Sequence, residues 1–186
     1  MDRSDALVLL REFTKNESLV KHGLAVEAAM RHYALSGGHD EDRWGLVGLL
    51  HDFDYERWPD APDHTRKGAE ILRERGLDEE LVGAILSHAE WNTDEYPRDS
   101  PLRRTLFAVD ELCGFLTAAA LVRPERLQGL RPKSVKKKLK TKSFAASVSR
   151  DDIRNGAELI GLELDDHINN CVAAMSAIAG DLGLES

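Results

Sequence analysis

Along most of this chain apolar residues recur every three or four positions, the period of one face of an α-helix. Leu7, Leu10 and Phe13 stripe a first short helix. Leu19, Leu24, Val26, Ala29, Met30 and Tyr33 predict a longer second one, stopped by the pair Gly37–Gly38. Asp40 is placed to cap a third helix in which Trp44, Val47, Leu49 and Leu50 are apolar, ending near His51–Asp52. Pro59 and Pro62 then break the pattern. "DHTRKGAEILRERG" reads as a further helix closed by Gly76, and "LDEELVGAILSHAEW" as the next, with Asp78 as its N-cap. A loop rich in Asn, Asp and Pro follows over 92–101. "PLRRTLFAVDELCGFLTAAALV" then predicts a long apolar helix ending before Pro124. Two more amphipathic helices lie in "SRDDIRNGAELIGL" and "ELDDHINNCVAAMSAIAGDLG". No stretch alternates with the period of a strand, and no internal repeat is visible. The expected fold is all-α, a bundle of about seven or eight helices.

Length and charge narrow this only a little. At 186 residues the chain is long enough for one domain with a sizeable core. A formal net charge of −8 argues against a general nucleic-acid binder. Cys113 and Cys171 both sit inside apolar runs and read as buried thiols, so a reducing, cytoplasmic compartment is expected. The start "MDRSDALVLLREF" lacks the basic leader and long apolar core of a signal peptide. No apolar run approaches the ~20 residues that span a bilayer, so no membrane partner is expected.

The histidines change the picture more. Of the seven, His22, His51, His64 and His88 fall near predicted helix ends or turns. His22 shares a helical line with Val26 and Met30, and His88 continues the line of Leu81, Ala84 and Ile85, so both turn toward the core. Asp110 lies within "LFAVDELCGF", where a lone carboxylate would be costly without a cation or several donors. Imidazole and carboxylate together suit zinc, iron or manganese, held between the helices of a bundle. Adjacent helical residues point about 100° apart, however, so His51 and Asp52 share one ion only if it lies over a helix end. Taken singly, each histidine is more often a hydrogen-bonded core or surface residue. His32, His39 and His167 have no motif partner and read as surface residues.

The order His22, then His51–Asp52, then Asp110 resembles the HD superfamily of metal-dependent phosphohydrolases. In that family such a set holds one metal inside a helical bundle. "HTRKGAEIL", starting at His64, resembles the His-x-x-x-Gly-Ala helix of HDIG-type domains, and "ILSHAEWNTDEYP" is similar to the paired-histidine region of HD-GYP phosphodiesterases. The resemblance covers roughly residues 17 to 120 and implies a metal-binding core over 1–122. The basic segment and C-terminal helices of 123–186 would pack on the same domain. In binuclear members the equivalents of His64 and His88 bind a second metal, bridged by the doublet aspartate, here Asp52. The sequence departs from HD-GYP at Ala89, where the second paired histidine would stand, and in lacking glycines before Tyr96. A cyclic dinucleotide phosphodiesterase is therefore not expected, and "HDFD" replaces the HDIG letters.

The resemblance implies one or two divalent ions, with Fe, Mn, Zn, Mg and Co all compatible. Metals of this kind activate water and steady the oxygens of a phosphoryl transfer. Asp52 would bridge them, and Asp54, Glu56 or Glu90 could relay a proton, although each reads equally as a solvated acid. Trp58 and Trp91 flank the ligands and either pack on their loops or cover a ring of the substrate. "RPKSVKKKLKTKSF", residues 131 to 144, carries seven basic residues and no acid. It is a solvated helix face, an arm bringing Lys133, Lys136 or Lys137 to substrate phosphates, or a local nucleic-acid contact.

The expected activity is hydrolysis of a small phosphorylated metabolite of nucleotide type, as phosphomonoesterase or phosphodiesterase. Two alternatives stand beside it. The same ligand set resembles the di-iron oxygenases of this fold, and a non-catalytic module that binds metal and signals to a partner is the other. The apolar last helix, "VAAMSAIAG", is suited to pairing in a homodimer.

Overall fold

The computed structural model describes residues 1–186, and helices α1 to α10 make up its regular structure, with no strand. They are α1 Arg3–Phe13, α2 Glu17–Gly37, α3 Glu41–Leu50, α4 Asp63–Glu74, α5 Glu79–His88, α6 Pro101–Leu121, α7 Pro132–Leu139, α8 Arg150–Leu159, α9 Leu164–Ala177 and α10 Ala179–Leu182. A single 3-10 turn, Glu90–Asn92, follows α5.

The helix starts follow from local chemistry. Asp40 accepts from the Arg43 N–H at the start of α3, and Asp78 accepts from the Glu80 N–H at the start of α5. Both side chains thereby satisfy N–H groups that a helix start leaves without partners. Gly38 ends α2 with φ of 70°, the left-handed conformation that glycine adopts without strain. Two helices exceed the periodicity reading, α7 and α10. In α7 only Val135 and Leu139 are buried, and α10 is four residues long, so neither is long enough to display a helical repeat.

One hydrophobic core runs from Ala6 to Leu184 and takes in Leu127, Val135 and Leu139 of the later segment. At its centre α2 crosses α3 at glycine. A Cβ on Gly48 would lie 2.8 Å from the Val26 carbonyl oxygen, and one on Gly23 would lie 3.0 Å from that of Leu49. α6 packs against α2, α5 and α8, and Gly156 of α8 lets the backbones of α6 and α8 approach at Ala108. No helix is long and apolar enough to cross a membrane.

His167 is a correction to the expectation of a surface residue, because it is fully buried on α9. The Tyr33 hydroxyl donates to its Nδ1 (2.6 Å), and its Nε2–H donates to the Ala108 carbonyl (2.9 Å). The line His167, Cys171, Ala174 at i, i+4 and i+7 carried that signal, since the other two are apolar and buried. His39 is exposed and stacked on Trp44, with 4.6 Å between ring centroids, while His32 is half-buried. Cys113 and Cys171 are both buried free thiols.

Candidate metal centre

Five segments bring six side chains to one place. His22 comes from the second turn of α2, and Asp110 faces it from the middle of α6. α3 is buried continuously from Trp44 to Leu50 and so carries its C-cap residue, His51, into the interior. Beyond His51 the chain leaves the helix for a series of turns, and Asp52 bends over the end of α3 instead of rotating away. His64 opens α4 with extended backbone (φ −53°, ψ 136°), and Thr65 after it is held at φ 67°. A β-branched residue in that region is strained and persists only where its surroundings hold it. His88 is the last residue of α5.

The imidazole Nε2 atoms converge on two carboxylates. Asp52 Oδ1 lies 3.2 Å from His64 Nε2 and 3.2 Å from His88 Nε2, whereas Asp52 Oδ2 lies 3.6 Å from His51 Nε2. Asp110 Oδ1 is 3.0 Å from His22 Nε2 and 3.4 Å from His51 Nε2. Ligand atoms of His22, His51 and Asp52 all fall within 4.8 Å of one another, as do those of Asp52, His64 and His88. Asp52 belongs to both groups.

The opposite ring nitrogens are tied down. His51 Nδ1–H donates to the Gly48 carbonyl (2.8 Å), and His88 Nδ1–H donates to that of Ile85 (2.6 Å). His64 Nδ1–H donates to Asp54 (3.0 Å). With Nδ1 holding the proton, Nε2 presents its lone pair to the cluster, as metal-ligating histidines do. His51 Nε2 is buried and makes no hydrogen bond, its nearest acceptors being Asp110 Oδ1 at 3.4 Å and Asp52 Oδ2 at 3.6 Å, so it is left open to a further partner. A divalent cation is the partner this donor set fits.

Electrostatics follow the crowding. Burial alone would push the His51 imidazole down, but the Asp52 and Asp110 carboxylates carry it up to about 9. His64 behaves alike, with Asp52 and Asp54 outweighing burial to bring it to about 9. Burial would raise the Asp52 and Asp110 carboxyls, yet the surrounding imidazoles hold both well below the usual carboxylate range. Burial, reinforced by neighbouring Asp110, pushes Glu111 up to about 7.

Above the cluster opens a cavity of about 470 Å³, lined by His22, Asp52, His64, His88 and Asp110 among others. Several residues that sequence reasoning did not single out also line it, including Tyr55, Arg98, Phe107 and Glu111. Glu111 was discoverable as the second acid of "VDELC"; Arg98 lies in an irregular loop and carried no periodic signal.

The remaining candidates fall elsewhere. Asp54 is 1% exposed and does not line the cavity; its oxygens accept from the His64 ring and from the Thr65 and Gly68 N–H groups (2.8 and 3.0 Å). Buried and bonded in this way, Asp54 touches the cluster through the Nδ1 side of the His64 ring and not through the cavity. Glu56 accepts from the Lys15 and Asn16 N–H groups near the start of α2, away from the cavity. Glu90 stands on the cavity rim, 79% exposed, with Arg98 3.1 Å away. Trp58 packs on Phe13, while Trp91 lines the cavity with its ring 6.0 Å from that of His64. Lys133, Lys136 and Lys137 do not line the cavity, and Lys136 pairs with Asp165 at 2.6 Å.

A family model described as HD domain matches residues 19–114, a little over half of the chain and the whole span from His22 to Asp110. No solved structure matches the chain.

Proposed function

The chain belongs to the HD domain family, and from that premise we propose that it is a hydrolase using two divalent ions to cleave a small phosphorylated metabolite of nucleotide type. The observation that carries this reading is Asp52, whose two oxygens face different histidine sets. A carboxylate so placed can bridge two ions, one held with His22, His51 and Asp110 and the other with His64 and His88.

Ions bound there would supply Lewis acidity and bring the pKa of water toward neutrality. The protein's own part is to aim and to shelter. The Gly48 and Ile85 carbonyls and Asp54 fix the ring orientation of His51, His88 and His64. Burial of His51 and His64 keeps these ligands dry, while the open side of the cavity admits substrate. The Tyr55 and Trp91 rings at this cavity offer aromatic surface against which a base can pack, which favours a nucleotide over a compact sugar phosphate.

The test is manganese-, iron- or zinc-loaded protein assayed anaerobically on a panel of phosphorylated metabolites, alongside Asp52→Ala. The wild type should release phosphate without oxygen, and the variant should lose both activity and bound metal. Activity that survives in Asp52→Ala sinks the mechanism, and turnover that requires dioxygen would assign the site to oxygenase chemistry.

A further inference from the structure

Apart from the candidate ligand histidines, the cavity over the candidate metal centre carries one basic side chain. Its walls carry five carboxylates, those of Asp52, Glu90, Asp110, Glu111 and Asp152, and a single guanidinium, that of Arg98. Arg98 is also held with unusual care for a residue in a loop. Its Nε–H donates to the Ser87 carbonyl (3.0 Å) and its Nη2–H to the His88 carbonyl (2.9 Å), two acceptors that the end of α5 leaves free. The face of the guanidinium lies on Phe107, 3.7 Å from the ring centroid. Arg98 Nη1 donates to no group of the protein. The side chain is 15% exposed, and the only acid paired with it is Glu90, which is 79% exposed on the rim.

Resting on the phosphohydrolase reading above, we infer that Arg98 grips the substrate's phosphate and that Glu90 occupies this anion position until substrate displaces it. Three features support the assignment. A planar guanidinium clamped on its Nε edge and one face leaves its remaining N–H groups aimed in a set direction, the arrangement that suits phosphate oxygens. The carbonyl it holds belongs to His88, so the grip and the second ligand group are built on the same helix end. Finally, Glu90 is attached only through an exposed ion pair, which is weak enough to be exchanged for a dianion. The role that sequence reasoning gave to Lys133, Lys136 and Lys137 is thereby carried by one arginine inside the cavity.

A purely structural account would make Arg98 a cap for α5 and nothing more, and the experiment separates the two. Inorganic phosphate is titrated by calorimetry into manganese-loaded wild type, Arg98→Ala, Arg98→Lys and Glu90→Gln, with metal content measured for each. Arg98→Ala should weaken phosphate binding about tenfold or more, and Arg98→Lys should recover only part of the loss, since lysine keeps the charge without the fork. Glu90→Gln should tighten binding by up to about fivefold, the worth of an exposed ion pair. Metal content should stay level throughout. Unchanged affinity in Arg98→Ala, a parallel loss of metal, or weaker binding in Glu90→Gln would each overturn the inference. Wild type that hydrolyses phosphate esters with Arg98→Ala unaffected removes this inference alone. Wild type that binds phosphate through Arg98 yet hydrolyses nothing removes only the phosphohydrolase reading.

Discussion

Asp54 accepts three hydrogen bonds with two oxygens, one from the His64 ring and two from N–H groups at the start of α4. A negative charge is favoured at a helix N-terminus, and here it also fixes the direction of a candidate ligand. Asparagine at this position keeps one accepting oxygen and turns an NH2 group toward the remaining donors. Asp54→Asn is therefore expected to lower affinity at the His64–His88 site by about 10- to 100-fold while leaving the His22–His51 site occupied. Titration with manganese against a competing chelator should then show one tight site where the wild type shows two; two tight sites would contradict the role assigned to Asp54. Gly68 belongs to the same device, because a Cβ there would meet Asp54 Oδ2 at 2.8 Å. That glycine reads in the sequence as part of a familiar helix motif, but the reason for it is the buried acid ten or more residues earlier.

At the scale of elements, the site depends on how α3 is seated. Gly48 sits three residues before His51, and its missing side chain lets α3 lie against the α2 backbone. Gly48→Ala puts a Cβ 2.8 Å from the Val26 carbonyl oxygen and from the Glu27 Cα, where no flexible side chain can give way. Overpacking of this kind should destabilise the fold by about 1–3 kcal/mol, read from urea unfolding. It should also shift His51 and so reduce metal occupancy in the fraction that stays folded; full occupancy would mean that α3 tolerates the shift. Helix limits set by caps were legible, as with Asp40 and Asp78, because a capping side chain acts within its own few residues. α7 and α10 were not, since they are ordered by packing on the body of the protein and not by a repeat of their own.

For the whole molecule, the centre ties together α2, the end of α3, the start of α4, the end of α5 and α6, so an ion bound there would link proton binding to the fold. Without metal, His51 and His64 are raised from 6.5 to about 9, so their contribution to stability is present below pH 6.5 and is lost as pH rises through about 9. Metal requires the same rings neutral, so its binding releases protons and tightens as pH climbs through that window. Thermal unfolding with and without a chelator should therefore show a stabilisation by metal that widens from pH 6.5 toward 9, and a gap that narrows would contradict this coupling. The all-α character and the capped helix starts were readable from the chain itself, whereas the grouping of His22, His51, Asp52, His64, His88 and Asp110 was what the resemblance to one family implied. Helical period and side-chain chemistry are local properties, and the order of these residues along the chain resembles one family's pattern. What only the tertiary structure decided was direction and distance. The burial of His167, the hydrogen bond of Asp54 to His64, the absence of the 131–144 lysines from the cavity and the presence of Arg98 all depend on which surfaces meet. Those meetings are set by packing between segments far apart in sequence, and no local pattern of residues encodes them.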